Sequence, residues 1–513
     1  VADEAIVSQQ QRAQDQALNA LAKLGGLAFQ EDDLLFEGRK FIIPEMMGLS
    51  DALLFLERKI REESETTTFS RTFNYRPWDG AAATFNALKK AFGSVVLGKN
   101  TVQGFFGPVK VPPNLIDVPS GPNGQTIQVP WGGMQVPFLT DVILNVGQTR
   151  NEHGTVFQIT GEGPKRFRHH VEGIFRLIQD ELENNSLYRG KAFDGDEMPK
   201  FLDPYSVDKD QIVYAEETAV QIEANILAPI RYPEVLSEVG ISGKKAALLY
   251  GPYGTGKTST AMLVAQEAIE NGWTFVYARP DHNLSEVFQT ARLYEPAVVF
   301  FEDLDKTTEN ADRADVATLL DLLDGVASKD ARILAILTTN HPEQIHKGMI
   351  RPGRLDAVIE IGSPDGPGVQ RLIEAAIPEN MLGNIEWDKV IEANLGDNPN
   401  PEPNKGQIST AYLPAFIREG ADRAVRFALV RTEGNPANIS ITTEDLVHAA
   451  NGLRPQWEMM QDAPEWMGRE SLDGAIRNLL KLANEDLVQA VWGEDLEEQR
   501  RNHGYKEDDS PLN

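Results

Sequence analysis

The 513-residue chain contains no cysteine, so disulfides, thiolate zinc sites and cysteine nucleophiles are all excluded, and a reducing compartment is permitted. It is also short of positive charge: 49 Lys and Arg face 77 Asp and Glu, a formal net charge of −28. That balance weighs against a general nucleic-acid coat and against adhesion to anionic membranes, although a local basic patch can still exist. Uninterrupted apolar runs of the ~18 residues that a membrane span needs are missing. Residues 1–30 are too rich in Gln, Asp and Ala to read as a signal peptide. The expectation is a soluble, intracellular, cytoplasmic protein with no membrane span. A chain of this length predicts about two to four domains, each with a sizeable core.

What is present centres on residues 246–259. Ala246 to Tyr250 is a short apolar run that reads as a buried strand, and 261–269 continues as a helix. Between them stand Gly251, Pro252, Tyr253, Gly254, Thr255, Gly256, Lys257 and Thr258, the pattern G-x-x-x-x-G-K-T, followed by Ser259. Glycines at these positions let backbone N–H groups point at phosphate oxygens, Lys257 can reach the β/γ-phosphates, and the Thr258 hydroxyl can ligate Mg²⁺. The plain alternative is a glycine-rich turn with a surface lysine. The coincidence of all four fixed positions with a strand before and a helix after favours the phosphate loop, and hence ATP with Mg²⁺.

The texture changes along the chain. Residues 1–65 read as N-terminal packing helices, at 5–24 and 49–60, the second with Leu53, Leu56 and Ile60 on one face. Residues 66–204 are rich in β-branched and aromatic residues broken by Gly and Pro, which predicts short strands with tight turns, closed by a helix over 166–183. That helix starts in a basic cluster, Lys165, Arg166, Arg168, His169 and His170. The cluster is read as a solvated helix start, with a partner or nucleic-acid contact as the alternative. Residues 205–362 alternate helices with the apolar runs AALLY, TFVYA, AVVFF, ILAIL and VIEI, the pattern of a parallel α/β sheet. Residues 363–455 are helical, interrupted by an exposed loop at 396–406. Residues 456–513 form a helical extension, with a helix over 472–491, and a charged tail. The fold class expected is α/β: a phosphate-loop core with a parallel sheet and a helical lid, preceded by a separate strand-rich α+β domain.

The run Val298 to Phe301 should deliver Glu302 and Asp303 at its carboxyl end, about 45 residues after the phosphate loop, where an ATPase of this kind keeps its acids. One such acid helps to hold Mg²⁺ and its neighbour polarises the attacking water. The usual order is Asp then Glu, and here it is reversed. Successive strand residues point to opposite faces, so role should follow position. Glu302 is therefore assigned to the metal with Thr258, and Asp303 to water. Asn340, after the strand 333–337, can orient water against the γ-phosphate. Arg351 and Arg354 sit on a turn and are suited to neutralising charge on a transferring phosphoryl group, or form a surface ion pair.

GPYGTGKTS, FFEDLDK, TTNHPE and IRPGRLD, in this order and spacing, resemble the AAA family of ring ATPases over roughly 205–455. Residues 231–258 are similar to proteasomal and membrane-protease members, and 319–356 to the mitochondrial AAA translocase of the Rieske protein, which shares the Glu-Asp order. The resemblance implies Asn340 as sensor and Arg351 and Arg354 as arginine fingers acting on a neighbouring subunit's ATP. It therefore also implies self-association into a ring, most often a hexamer.

Two segments depart from the family pattern. Val276-Tyr277-Ala278 runs through Arg279, Pro280, Asp281, His282 and Asn283 straight into a helix, without the aromatic-Gly pore loop of polypeptide-threading members. In the lid, GQISTAYL replaces the usual Gly-Ala pair, leaving Gly406 or Thr410 as candidates for adenine contact. The function expected is an ATP hydrolase whose turnover remodels or moves a macromolecule, a protein by preference. The alternatives are an ATP-gated scaffold ring with slow hydrolysis and a DNA-linked motor, against which the acidic balance weighs.

Overall fold

The computed structural model describes residues 49–462 except 94, 98–99, 105–106, 112–113, 137–138, 140, 241–245, 309–331, 346–347, 352–353, 397–409 and 434–438. The helices expected over 5–24 and 472–491, the charged tail, nearly all of the 396–406 loop and the first part of 319–356 lie outside the described residues. The chain divides between Pro364 and Asp365 into two compact units.

The first unit opens with α1 (Leu49–Ser64). Its Leu53 was expected to pack, yet it is exposed together with Leu54 and Phe55. Three consecutive residues spread round a helix and cannot share one face. Next come β1 (Thr66–Phe73), α2 (Pro77–Phe92), β2 (Val96–Leu97) and the hairpin of β3 (Asn100–Gly104) with β4 (Gly107–Val111). A second hairpin joins β5 (Asn114–Gly121) to β6 (Gln125–Trp131), and β7 (Gly133–Gln135), β8 (Ile143–Asn151), β9 (Gly154–Pro164) and α3 (Arg168–Asn185) complete the region. Five strands form an antiparallel sheet in the order β1-β9-β8-β7-β2. The tight turn of the second hairpin has Asn123 at φ 63° and Gly124 at φ 73°, the left-handed pair that Asn-Gly adopts most readily. Helix α2 starts on Pro77 and stops at Gly93, whose left-handed backbone donates its N–H to Lys89 O. Its small face, Ala81, Ala83, Ala87 and Leu88, lies in the core of the sheet. The approach is close enough that a Cβ on Gly80 would stand 1.9 Å from the Phe157 ring.

The second sheet holds six parallel strands in the order β10-β12-β13-β14-β11-β15. They are β10 (Ala192–Asp194), β11 (Ala246–Tyr250), β12 (Thr274–Ala278), β13 (Ala297–Phe301), β14 (Ile333–Thr339) and β15 (Ala357–Glu360). Helix α4 (Lys257–Glu270) follows β11 and α5 (Leu284–Leu293) follows β12. Alternate residues divide cleanly between two cores. Ala246, Leu248, Val276, Val299, Phe301, Ala335 and Leu337 pack with Val287, Phe288 and Ala291 of α5. Ala247, Leu249, Phe275, Val298, Phe300, Leu334 and Ile336 pack with Ala261, Val264 and Ala265 of α4. Both faces of the sheet are therefore covered, which is why its strands read as continuous apolar runs. The boundary expected at 204/205 is too late, because β10 at 192–194 already belongs to this sheet. A three-residue edge strand is too short to show periodicity in sequence.

The two sheets meet in a buried junction. Asp79 of α2 accepts hydrogen bonds from Ser186 Oγ at 2.6 Å, Leu187 N at 2.8 Å and Tyr294 Oη at 3.1 Å. Tyr188, Phe193, Phe201 and Tyr294 cluster beside it, and Val156 of β9 joins the core of the parallel sheet.

The second unit is helical: α6 (Gly366–Ala376), α7 (Trp387–Leu395), α8 (Pro414–Arg431) and α9 (Thr443–Asp462). Tyr412 anchors it, its hydroxyl bonded to Ala450 O at 2.7 Å and its ring under the Arg454 guanidinium at 4.4 Å. No described helix is long and apolar enough to cross a membrane.

Candidate functional site

In the parallel sheet β14 lies between β13 and β11, so the carboxyl ends of three adjacent strands bring Glu302, Asn340 and the 251–258 loop together. The loop needs its glycines. Gly251 (φ 157°), Gly254 (φ 84°) and Gly256 (φ 96°) all have left-handed or near-limit positive backbones, which side chains rarely tolerate. At Gly251 a Cβ would also come within 2.0 Å of Ile361 O. Lys257 opens α4 and is buried, its Nζ bonded to Gly251 O at 2.6 Å and Pro252 O at 2.8 Å. Burial lowers its pKa to about 8, against the opposing fields of Asp303, Asp305 and Glu302. Thr255 is buried and donates to Pro252 O at 3.0 Å, while Tyr253 is half exposed.

Thr258 Oγ1 donates to Glu302 Oε1 at 2.5 Å. The two oxygen ligands expected for Mg²⁺ are thus adjacent, and hard oxygen donors of this kind suit that ion, which takes one or two carboxylates plus phosphate oxygens and waters. Among the described residues no three His, Asp or Glu gather into a metal cluster. The second Glu302 oxygen accepts from the Tyr277 hydroxyl at the end of β12. Tyr277 was read in sequence only as part of a strand. Its signal was an aromatic with a polar tip at a carboxyl strand end. Burial first, and then the Glu302 carboxylate, push its pKa far up, so it remains a donor.

Asp303 adopts φ 47°. Its N–H donates to Thr338 Oγ1 at 2.9 Å, its Oδ1 accepts from Asn340 Nδ2 at 2.9 Å, and its other oxygen pairs with Lys306. Asp305, two residues further on and not singled out from the sequence, is buried and accepts from Thr339 Oγ1 at 2.9 Å and Asn340 N at 3.2 Å. It therefore pins the end of β14 that carries Asn340. Arg354 donates to Gly348 O at 3.0 Å within its own turn, and Arg351 is exposed. In the second unit Thr410 donates to Leu395 O at 2.8 Å. Gly406 lies outside the described residues.

The link from β12 to α5 is tied down. Asn283 caps α5 by accepting from Glu286 N. Arg279 pairs with Asp196 at 3.3 Å and Asp194 at 3.5 Å, and His282 Nε2 stands 3.1 Å from Asp196. The basic cluster at the start of α3 is also engaged locally: Lys165 pairs with Glu65 at 2.6 Å and Arg166 with Asp141 at 3.2 Å, and Arg168 lies over the Phe69 ring.

Residues 247–363 match the AAA family, described as the ATPase family associated with various cellular activities. Over 291 residues the chain is 29% identical to the cell division cycle protein 48 homolog of Archaeoglobus fulgidus, covering 51% of this chain and 37% of that protein. It is 32% identical over 240 residues to the proteasome-activating nucleotidase of Methanocaldococcus jannaschii, covering 43% and 54% respectively. With the human ATPase family gene 2 protein homolog A it shares 33% over 249 residues, covering 44% and 27%. The chain thus spans between about a quarter and a half of the length of these curated relatives. They carry the proteasomal side of the resemblance; the likeness to the Rieske translocase is not shown by them. The match, the six-stranded parallel sheet and the phosphate loop at its carboxyl edge together make residues 247–363 an ATPase domain of the AAA family.

Proposed function

We propose that the chain works as a ring, of six copies by family resemblance, whose ATP turnover remodels or moves a protein engaged by the strand-rich region. The supporting observation is the division of labour at neighbouring strand ends: Glu302 faces Thr258, while Asp303 faces Asn340. In this proposal the 251–256 loop and Ser259 hold phosphates, and Lys257 leaves its loop carbonyls for the β/γ-phosphates. Thr258 and Glu302 hold Mg²⁺, which supplies charge neutralisation on the phosphates. Asp303 orients and polarises the attacking water, with Asn340 fixing its carboxylate. Arg351 and Arg354 serve the site of the adjacent copy. The name of the proteasome-activating relative supports a protein as cargo. The short link at 279–283, tied down by Asp194 and Asp196, supports movement without the threading loop.

A second reading, an ATP-gated scaffold with slow turnover, draws on Asp303 having both carboxylate oxygens engaged, by Asn340 and by Lys306. The test is Asp303→Asn. The variant should bind ATP with near-normal affinity and lose turnover by about 100-fold or more; retained turnover moves the catalytic role to Glu302. Capture of a protein by this ATP-loaded variant, with several-fold stimulation of the wild type by that protein, supports remodelling. Slow turnover indifferent to any captured protein supports the scaffold.

A further inference from the structure

Resting on Glu302 as the metal-holding acid, we propose that Tyr277 is a positioning residue for its carboxylate, the part that adapts this site to a glutamate where the family order places an aspartate. Glu302 uses its two oxygens separately. Oε1 meets Thr258 Oγ1 at 2.5 Å, and Oε2 accepts from the Tyr277 hydroxyl on the neighbouring strand. Glutamate has one more rotatable bond than aspartate, and an unrestrained side chain must lose that freedom each time it takes up a ligand. A donor on the oxygen turned away from Thr258 removes that freedom beforehand and orients Oε1, in the way that outer partners orient ligating carboxylates in metal sites.

The donor is itself held. The Tyr277 ring stacks on Phe300, with centroids 6.1 Å apart and planes within 12°, and Tyr277 pairs with Phe300 in the parallel register of β12 and β13. One residue further on, Glu302 N donates to Ala278 O at 3.0 Å, so the two strand ends remain in register up to the acid. Shortening Glu302 to aspartate would withdraw the carboxylate by about one carbon–carbon bond, ~1.5 Å, and take it out of reach of the hydroxyl. The benefit of Tyr277 therefore belongs to the glutamate alone.

The experiment compares the full-length wild type with Tyr277→Phe, Glu302→Asp, the double variant and Glu302→Gln. Mn²⁺ binding is read by electron paramagnetic resonance in the presence of a non-hydrolysable ATP analogue. Analogue affinity without metal, thermal melting, and KM against kcat for Mg·ATP are measured alongside. Phenylalanine keeps the ring on Phe300, and unchanged melting confirms an intact fold. Tyr277→Phe should weaken Mn²⁺ binding about 10-fold, leave metal-free analogue affinity unchanged and raise the Mg²⁺ needed for half-maximal turnover. In the Glu302→Asp background the same change should alter Mn²⁺ binding less than about 2-fold, since the pair no longer interacts. The inference is overturned if Tyr277→Phe leaves Mn²⁺ binding intact while Glu302→Gln abolishes it, or if the loss is equal in both backgrounds. If Glu302→Gln itself retains Mn²⁺, the metal role of Glu302 fails, and the inference fails with it.

Discussion

At the scale of single residues the site turns on Lys257, a cation buried among carbonyl oxygens. Burial disfavours its charged form, and the pKa falls from 10.5 to about 8. Because the folded value lies below the unfolded one, the unfolded chain binds more protons between those limits. This residue's contribution to stability therefore rises with pH across that window. Nucleotide affinity should run the other way, since only the protonated amine neutralises phosphate. Fluorescent-nucleotide titration of the wild type should weaken about 10-fold from pH 7 to pH 9. Lys257→Arg, permanently charged, should show a flat profile at reduced affinity, and Lys257→Ala should lose binding. Normal affinity in the alanine variant would remove the lysine from the phosphate site. The lysine was legible from its spacing alone; its depressed pKa was not, because burial is a property of the packed loop.

Elements decide which residues meet. The apolar runs at 246–250, 274–278, 297–301 and 333–337 could be read as strands because both faces are buried, but their spatial order could not. That order sets Tyr277 against Phe300 and Asn340 beside Asp303. Edge strand β10 was missed for want of length, and the exposure of Leu53 was not legible because burial depends on what packs against a helix. The contact of α2 with the turn after α5 carries its own test. Burial raises the Asp79 pKa from 3.8 to about 6, with hydrogen bonds from Ser186, Leu187 and Tyr294 opposing. Here the folded state binds the extra proton, so the stabilising contribution is complete below about pH 4 and is lost as pH rises through 6. The loss is up to about 3 kcal/mol. Asp79→Asn carries no such titration. The stability difference between variant and wild type, from denaturant midpoints, should move in favour of the variant by up to that amount between pH 4 and pH 7. A pH-independent difference would show that Asp79 titrates as an ordinary carboxylate.

For the whole molecule the testable property is assembly. Arg354 is bonded within its own turn and Arg351 is exposed; the proposed role of both on another copy has a direct test. Arg354→Ala and Lys257→Ala should each be inactive alone, and mixing them should restore turnover to a measurable fraction of the wild type. In that case one copy supplies the phosphate loop and the other the finger. If mixed assemblies form, as seen by mass analysis of differently tagged copies, and remain inactive, the fingers do not act between copies.

The sequence by itself determined the phosphate loop, the paired acids after β13 and the α/β class, because each depends on spacing along one stretch of chain. Only the tertiary structure decided the partners of those groups. Tyr277 reaches Glu302 across 25 residues and Tyr294 reaches Asp79 across 215. Contacts of that range follow from strand order and from which faces are buried, quantities that no local run of residues contains.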